Sequence, residues 1–313
     1  MDLRGRKVGI SPEIRLLRKL DQESWDKILI SASKRGDFFT ILNLFKPQSP
    51  IPFSLEIKNS SFYQAAENGF SAVVEFFLQR GLIQGGDAMK AAVCAAAQNG
   101  RVEVLKAFVR IEDMNLLRLY LCDGLKIAAQ HGQGKVISLV LRSIREWSTN
   151  YYLGDSFLGH LNEAFVNAAK NGQVGSMNAF IQSGRFNDIA LDEAFIGAAE
   201  NGQVGFMNAI IQSGRFNAIS GWDLGRAVVW SADNGHEGVL RTIIQSGRFD
   251  EIEQVHADLA FRRSRQFENI TSILLSTKKI GCLAKAEHIF LENRRQLGLL
   301  AGIFFSHAII QIL

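Results

Sequence analysis

Apolar positions along this chain recur at three-to-four spacing in short runs, and each run is cut by Asn-Gly or Ser-Gly. In LDEAFIGAAENG, Leu191, Phe195, Ala198 and Ala199 fall at i, i+4, i+7 and i+8, the apolar face of a helix. Asn201-Gly202 stops that helix, because glycine adopts the left-handed terminal conformation without a side-chain clash. A second helix follows, predicted to bury Val204, Met207, Ile210 and Ile211 and to end at Ser213-Gly214. Helices of about 8–12 residues are too short to stand alone in water, so neighbouring segments must cover them.

The neighbours are copies. NAAKNGQVGSMNAFIQSGRFN from Asn167, GAAENGQVGFMNAIIQSGRFN from Gly197 and WSADNGHEGVLRTIIQSGRFD from Trp230 align without gaps. The same turn glycine is found at Gly36, Gly69, Gly100, Gly132, Gly172, Gly202 and Gly235, at separations of 33, 31, 32, 40, 30 and 33 residues. A period near 30 predicts a solenoid of two-helix units. AFRRSRQFENITSILLS sits where an eighth unit belongs, without the glycine. GIFFSHAIIQ from Gly302 aligns with QVGFMNAIIQ from Gln203, three periods of 33 earlier. The expected organisation is an N-terminal cap or extension over 1–27 and an array over 28–313. Its units are clear to about residue 250, then degenerate and truncated over 251–313. Paired small residues at 65–66, 96–97, 128–129, 168–169 and 198–199 let helices approach closely.

The pattern A-A-x-N-G-x-V-x-x-h-x-x-h-h-x-x-G, where h is apolar, resembles the core of the ankyrin-repeat family. The resemblance runs from about residue 28 to the C-terminus. The family's Thr-Pro-Leu-His box is missing. It reads Glu193-Ala194-Phe195-Ile196 in one unit and Arg226-Ala227-Val228-Val229 in the next, and four prolines in the whole chain cannot supply it repeatedly. The fold expected from the resemblance is all-α: an ankyrin-like helical-hairpin solenoid of about eight to nine repeats with irregular, shortened fingers. The resemblance also implies protein binding without catalysis.

At 47% hydrophobic and 21% charged residues, the 313-residue chain has ordinary globular content. A formal net charge of +4 is too small an excess to announce nucleic acid. Three cysteines without a C-x-x-C pair point to a reducing compartment, and Met1–Leu20 lacks a signal-peptide apolar segment. These features predict a cytoplasmic monomer, or a protein of a host cytosol if it is exported without a cleaved signal. The six histidines show no metal-ligand spacing, and no phosphate-binding glycine loop occurs. No cofactor, metal or catalytic residue is expected. Cys94, at the position of the box His, reads as a small core residue.

Candidate partner-binding residues come from three places. Arg185, Arg215 and Arg248 close successive units in Gly-Arg-Phe and would form a ladder along one edge. Such a ladder either grips acidic groups by bidentate bonds or lies solvated while Phe186, Phe216 and Phe249 plug the junctions. The 40-residue interval holds Trp147, Tyr151, Tyr152 and Phe157 in an expected surface finger, which either contacts a partner or folds back over a widened junction. Trp222 is assigned to the corresponding finger two units later. The basic clusters Arg262-Arg263-Ser264-Arg265 and Lys278-Lys279 are either an acidic-lipid or nucleic-acid patch or a solvated helix face.

Two functions follow. One is a non-catalytic scaffold gripping a protein, in a locally duplicated style resembling arrays of intracellular bacteria and large DNA viruses, a resemblance that implies a host-directed effector. The alternative is a membrane-associated adaptor anchored by the apolar run 297–313. Ser306, His307 and Gln311 within that run are costly in lipid, and its register matches a repeat's second helix.

Overall fold

The computed structural model describes residues 20–46, 51–110, 115–147, 154–282, 284–289, 291–293 and 295. All regular structure among them is helical. Their contacts group residues up to His160 into one compact unit and residues from Leu161 onward into a second. The boundary falls in the widened 40-residue interval.

The first unit contains α1 (Gln22–Arg35), α2 (Phe38–Leu44), α3 (Leu55–Asn68), α4 (Ser71–Gln79), α5 (Gly86–Gln98), α6 (Val102–Val109), α7 (Asn115–Gln130) and α8 (Gly134–Trp147). Helix α1 starts inside the segment expected to be an extension. Its N-cap Asp21 accepts a hydrogen bond from the Ser24 amide at 2.9 Å, and Gly36 ends it in the left-handed region. Within this unit the odd-numbered helices pack on one another in sequence, as do the even-numbered ones, and consecutive helices form hairpins.

The long helix α9 (Gly154–Lys170) leads into the second unit. There follow α10 (Val174–Gln182), α11 (Leu191–Glu200), α12 (Val204–Gln212), α13 (Gly221–Asp233), α14 (Glu237–Gln245), α15 (Gln254–Arg263) and α16 (Glu268–Ser276). Here α11, α13 and α15 form one packed row, and α10, α12, α14 and α16 the other. A further helical stretch begins at Cys282.

The core follows the repeat. All ten paired-alanine positions are fully buried, which allows the first helices to lie close together. On α12 the buried side chains are Phe206, Met207 and Ile210, whereas Val204 and Ile211 are only half-buried. This corrects the expected face. Phe206 rotates it by reaching the Phe165 ring at 5.4 Å.

The connections in the second unit are regular, contrary to the expected irregular fingers. Each passes from Gly-Arg through a 3-10 turn (Phe186–Asp188, Phe216–Ala218 or Phe249–Glu251) to an extended isoleucine. The worn unit turns without glycine. Ser264 opens a 3-10 turn, and the Thr271 hydroxyl donates to the Ser264 carbonyl at 2.9 Å.

At four of the seven turns the residue after the glycine ties one hairpin to the preceding one. Arg101 Nε donates to the Glu67 carbonyl at 2.9 Å and Gln133 Nε2 to the Gln98 carbonyl at 3.0 Å. Gln203 Nε2 donates to the Lys170 carbonyl at 3.1 Å and His236 Nε2 to the Glu200 carbonyl at 2.9 Å. These side chains satisfy carbonyls left open at helix ends. They also explain the glycines twice over. Gly202 has φ +72°, and a Cβ there would come within 2.9 Å of the His236 ring.

Among the described residues no helix is long and apolar enough to cross a membrane. The run 297–313 lies outside them.

Candidate functional site

The arginine ladder has an occupation that neither sequence reading supplied. Arg248 Nη1 donates to the Phe216 carbonyl at 2.6 Å and Nη2 to the Ile219 carbonyl at 2.8 Å. Its guanidinium carbon stands 4.9 Å from the centre of the Phe216 ring, and Nε bonds Glu251 at 2.8 Å. Arg215 repeats the arrangement one unit earlier, bonding the Phe186 carbonyl and, at 3.2 Å, the Ile189 carbonyl over the Phe186 ring. Lys279 continues it one unit later, with Nζ donating to the carbonyls of Asp250 at 2.6 Å and Ile252 at 2.9 Å. Arg185 differs, pairing at 3.3 Å with Asp188 of its own turn. Arg215 and Arg248 are therefore clasps between hairpins: their donors already hold backbone carbonyls and, in Arg248, the Glu251 carboxylate as well.

Of the other expected contact residues, Tyr151 and Tyr152 lie outside the described residues. Trp147 ends α8, and its side chain also lies outside them. Phe157 is buried. The basic cluster is largely ion-paired: Arg263 meets Asp233 at 2.6 Å, and Arg262 and Arg265 meet Glu287 at 3.1 and 2.8 Å. Burial pushes the Cys94 thiol up and takes that of Cys122 to about 11, the opposite of what a nucleophile needs. Among the described residues no cluster of His, Cys, Asp or Glu is arranged to hold a metal ion.

Trp222 is the sequence candidate that stands open, though on a helix and not on a finger. Ser220 caps α13: its Oγ accepts from the Asp223 amide at 3.1 Å and donates to Asp223 Oδ2 at 2.6 Å. That cap sets Trp222 on the first turn. Trp222, Arg226 and Trp230 then share one stripe of α13 at i, i+4 and i+8. Trp222 is 54% exposed and Trp230 37%. On the adjacent α15, Val255 is 60% and Leu259 37% exposed. The indole of Trp222 meets the buried His256 ring edge-on, 4.4 Å between centroids. Gly225 makes room for that imidazole, since a Cβ there would lie 2.6 Å from it. A fixed aromatic beside a helix that exposes two aliphatic side chains has the composition of an interface centre.

The surroundings are acidic. Between Leu191 and Glu253 there are nine carboxylates and four arginines, a local net charge of −5 within a chain of net charge +4. Two of those arginines are the clasps. The other two pair within their own helices, Arg226 with Asp223 at 3.3 Å and Arg241 with Glu237 at 2.8 Å. Burial first, and then the charge of Asp223, push the Asp192 carboxyl above its ordinary value. Helix N-termini hold Asp192, Glu193 and Asp223 at this edge of the face.

The chain matches no protein-family model, and no curated protein sequence is significantly similar to it. The geometry must carry the functional reading alone. A sequence signal for this face existed in Ser220-Gly221-Trp222-Asp223, a helix-capping pattern that puts the tryptophan on a helix. The exposed Val255 and Leu259 had no comparable signal, because apolar residues at three-to-four spacing normally read as core.

Proposed function

We propose that the chain is a non-catalytic protein-interaction scaffold built of ankyrin-like helical hairpins. The observation carrying this reading is Trp222, a large indole half in solvent yet held in place by a buried histidine. Exposing and bracing such a ring costs stability, and protein contact is the use for which indoles are best suited. The repeat architecture supports the same reading, since stacked hairpins present side-chain rows without enclosing a reaction chamber.

The test is affinity capture followed by reconstitution with the purified captured protein. The intact chain is compared with Trp222→Ala and, separately, with a chain altered at Trp147, Tyr151 and Tyr152. The proposal expects direct binding in the purified pair, weakened at least about tenfold by the alteration that removes the contact surface. Undiminished binding with both altered chains would refute the assignment of contact to these aromatics. Turnover of the captured partner would refute the non-catalytic reading.

A further inference from the structure

We infer that the α13–α15 face of the second unit binds a partner segment pairing apolar residues with a lysine or arginine, whose cation lies by Asp192 and Asp223 at the Trp222 end. This rests on the scaffold reading and gives the partner its chemistry.

Two observations, one of shape and one of charge, meet at this face. The shape is a stripe of large side chains, Trp222 and Trp230 on α13 beside Val255 and Leu259 on α15, on two helices that pack directly together. Burying those four removes apolar area from water, the main driving force for association. The stripe follows helical spacing on both helices, so it suits an elongated amphipathic segment better than a small compact ligand.

The charge selects the kind of segment. Asp192 accepts a hydrogen bond from the Ser220 amide, which binds the start of α11 to the cap of α13. Asp223 is anchored by the same Ser220 through its hydroxyl. Two carboxylates are thus held near one another beside an exposed indole, with Arg226 paired to Asp223 and the charge of Arg215 acting on Asp192. A further cation, from the partner, would lower their mutual repulsion and meet the negative face of the indole at the same place. An anionic partner such as nucleic acid is repelled by the same groups. The local net charge of −5 over 191–253 steers a basic segment toward the Trp222 end of the stripe, away from Arg262 and Arg263 at the far end of α15, which pair with Glu287 and Asp233.

The test selects a random peptide library on the full-length chain and measures binding of the most enriched peptide by fluorescence anisotropy. Enriched sequences should combine Lys or Arg with Leu, Ile, Phe or Trp within two helical turns. Affinity should fall about tenfold or more in Trp222→Ala and severalfold in the near-isosteric Asp192→Asn. It should hold in Glu103→Gln, an acidic site in the first unit. Raising salt should weaken the intact chain more than Asp192→Asn. Circular dichroism and melting establish that each variant is folded, and Asp192→Asn carries the test if Trp222→Ala melts early. Acidic or uncharged winners, or basic winners indifferent to both substitutions, overturn the inference while leaving a scaffold that binds elsewhere. A dimer of the intact chain that Trp222→Ala makes monomeric also overturns it, because the occupant is then a second copy.

Discussion

Replacing Arg248 by methionine removes a clasp while keeping most of its aliphatic bulk. The side chain is 14% exposed, so its bonds to the Phe216 and Ile219 carbonyls are shielded from water. A hydrogen bond from a charged donor contributes about 1.5–3 kcal/mol, and a partly desolvated cation over an aromatic ring about 0.5–2 kcal/mol. These terms overlap, and methionine recovers some contact with the Phe216 ring, so the expected loss is about 3 kcal/mol. The Arg185 guanidinium, at 31% exposure and bonded to the half-exposed Asp188, sets the contrast, with an expected loss below about 1 kcal/mol for Arg185→Met. Urea denaturation followed by far-ultraviolet circular dichroism measures both. Arg248→Lys should avoid a large part of the loss, since Lys279 makes a similar pair of bonds with one ammonium. Equal losses for Arg185→Met and Arg248→Met, or a loss below about 0.5 kcal/mol for the latter, would refute the clasp.

Gly202→Ala should cost about 2–3 kcal/mol, since strain at φ +72° adds to a contact with His236, whereas Gly214→Ala, at φ +79° with open space, should cost about 1 kcal/mol. Adding His236→Gly to Gly202→Ala should cost less than the single losses combined, and strict additivity in denaturation would count against the contact. Asp192→Asn should raise the melting temperature at pH 7. The raised carboxyl pKa means that Asp192 favours folding below its unfolded value of 3.8 and loses that contribution as pH rises through its folded value. The gain should therefore vanish below that range, and a gain equal at pH 3 and pH 7 would assign it to something other than ionisation. In native-state alkylation at pH 7.5, mass spectrometry should find the exposed Cys282 modified well before Cys122, whose thiol titrates near 11. Equal rates would contradict the burial of Cys122.

The hairpins were legible because helix stops and apolar periodicity are local properties. Gly202 and Gly235 mark their turns in any context, and Leu191, Phe195, Ala198 and Ala199 all prove buried. Phe206 was missed because its burial depends on Phe165 in the preceding hairpin, beyond the reach of helical spacing. The clasps were missed for the same reason. Nothing in Gly-Arg-Phe says that an arginine turns back about 30 residues to a carbonyl, and an isolated surface arginine is normally solvated. Trp222, expected on a finger between repeats, lies instead on the first turn of α13, because the Ser220 side chain caps the helix just before it.

Seven of the latches share a direction. Arg101, Gln133, Gln203, Arg215, His236, Arg248 and Lys279 each belong to the later hairpin and close upon the earlier one. As a ribosome releases the chain from its N-terminus, a hairpin gains its lock only after roughly thirty further residues have emerged. Nascent fragments therefore carry one unfastened hairpin at their growing end, a moving site for chaperone capture that advances one repeat at a time.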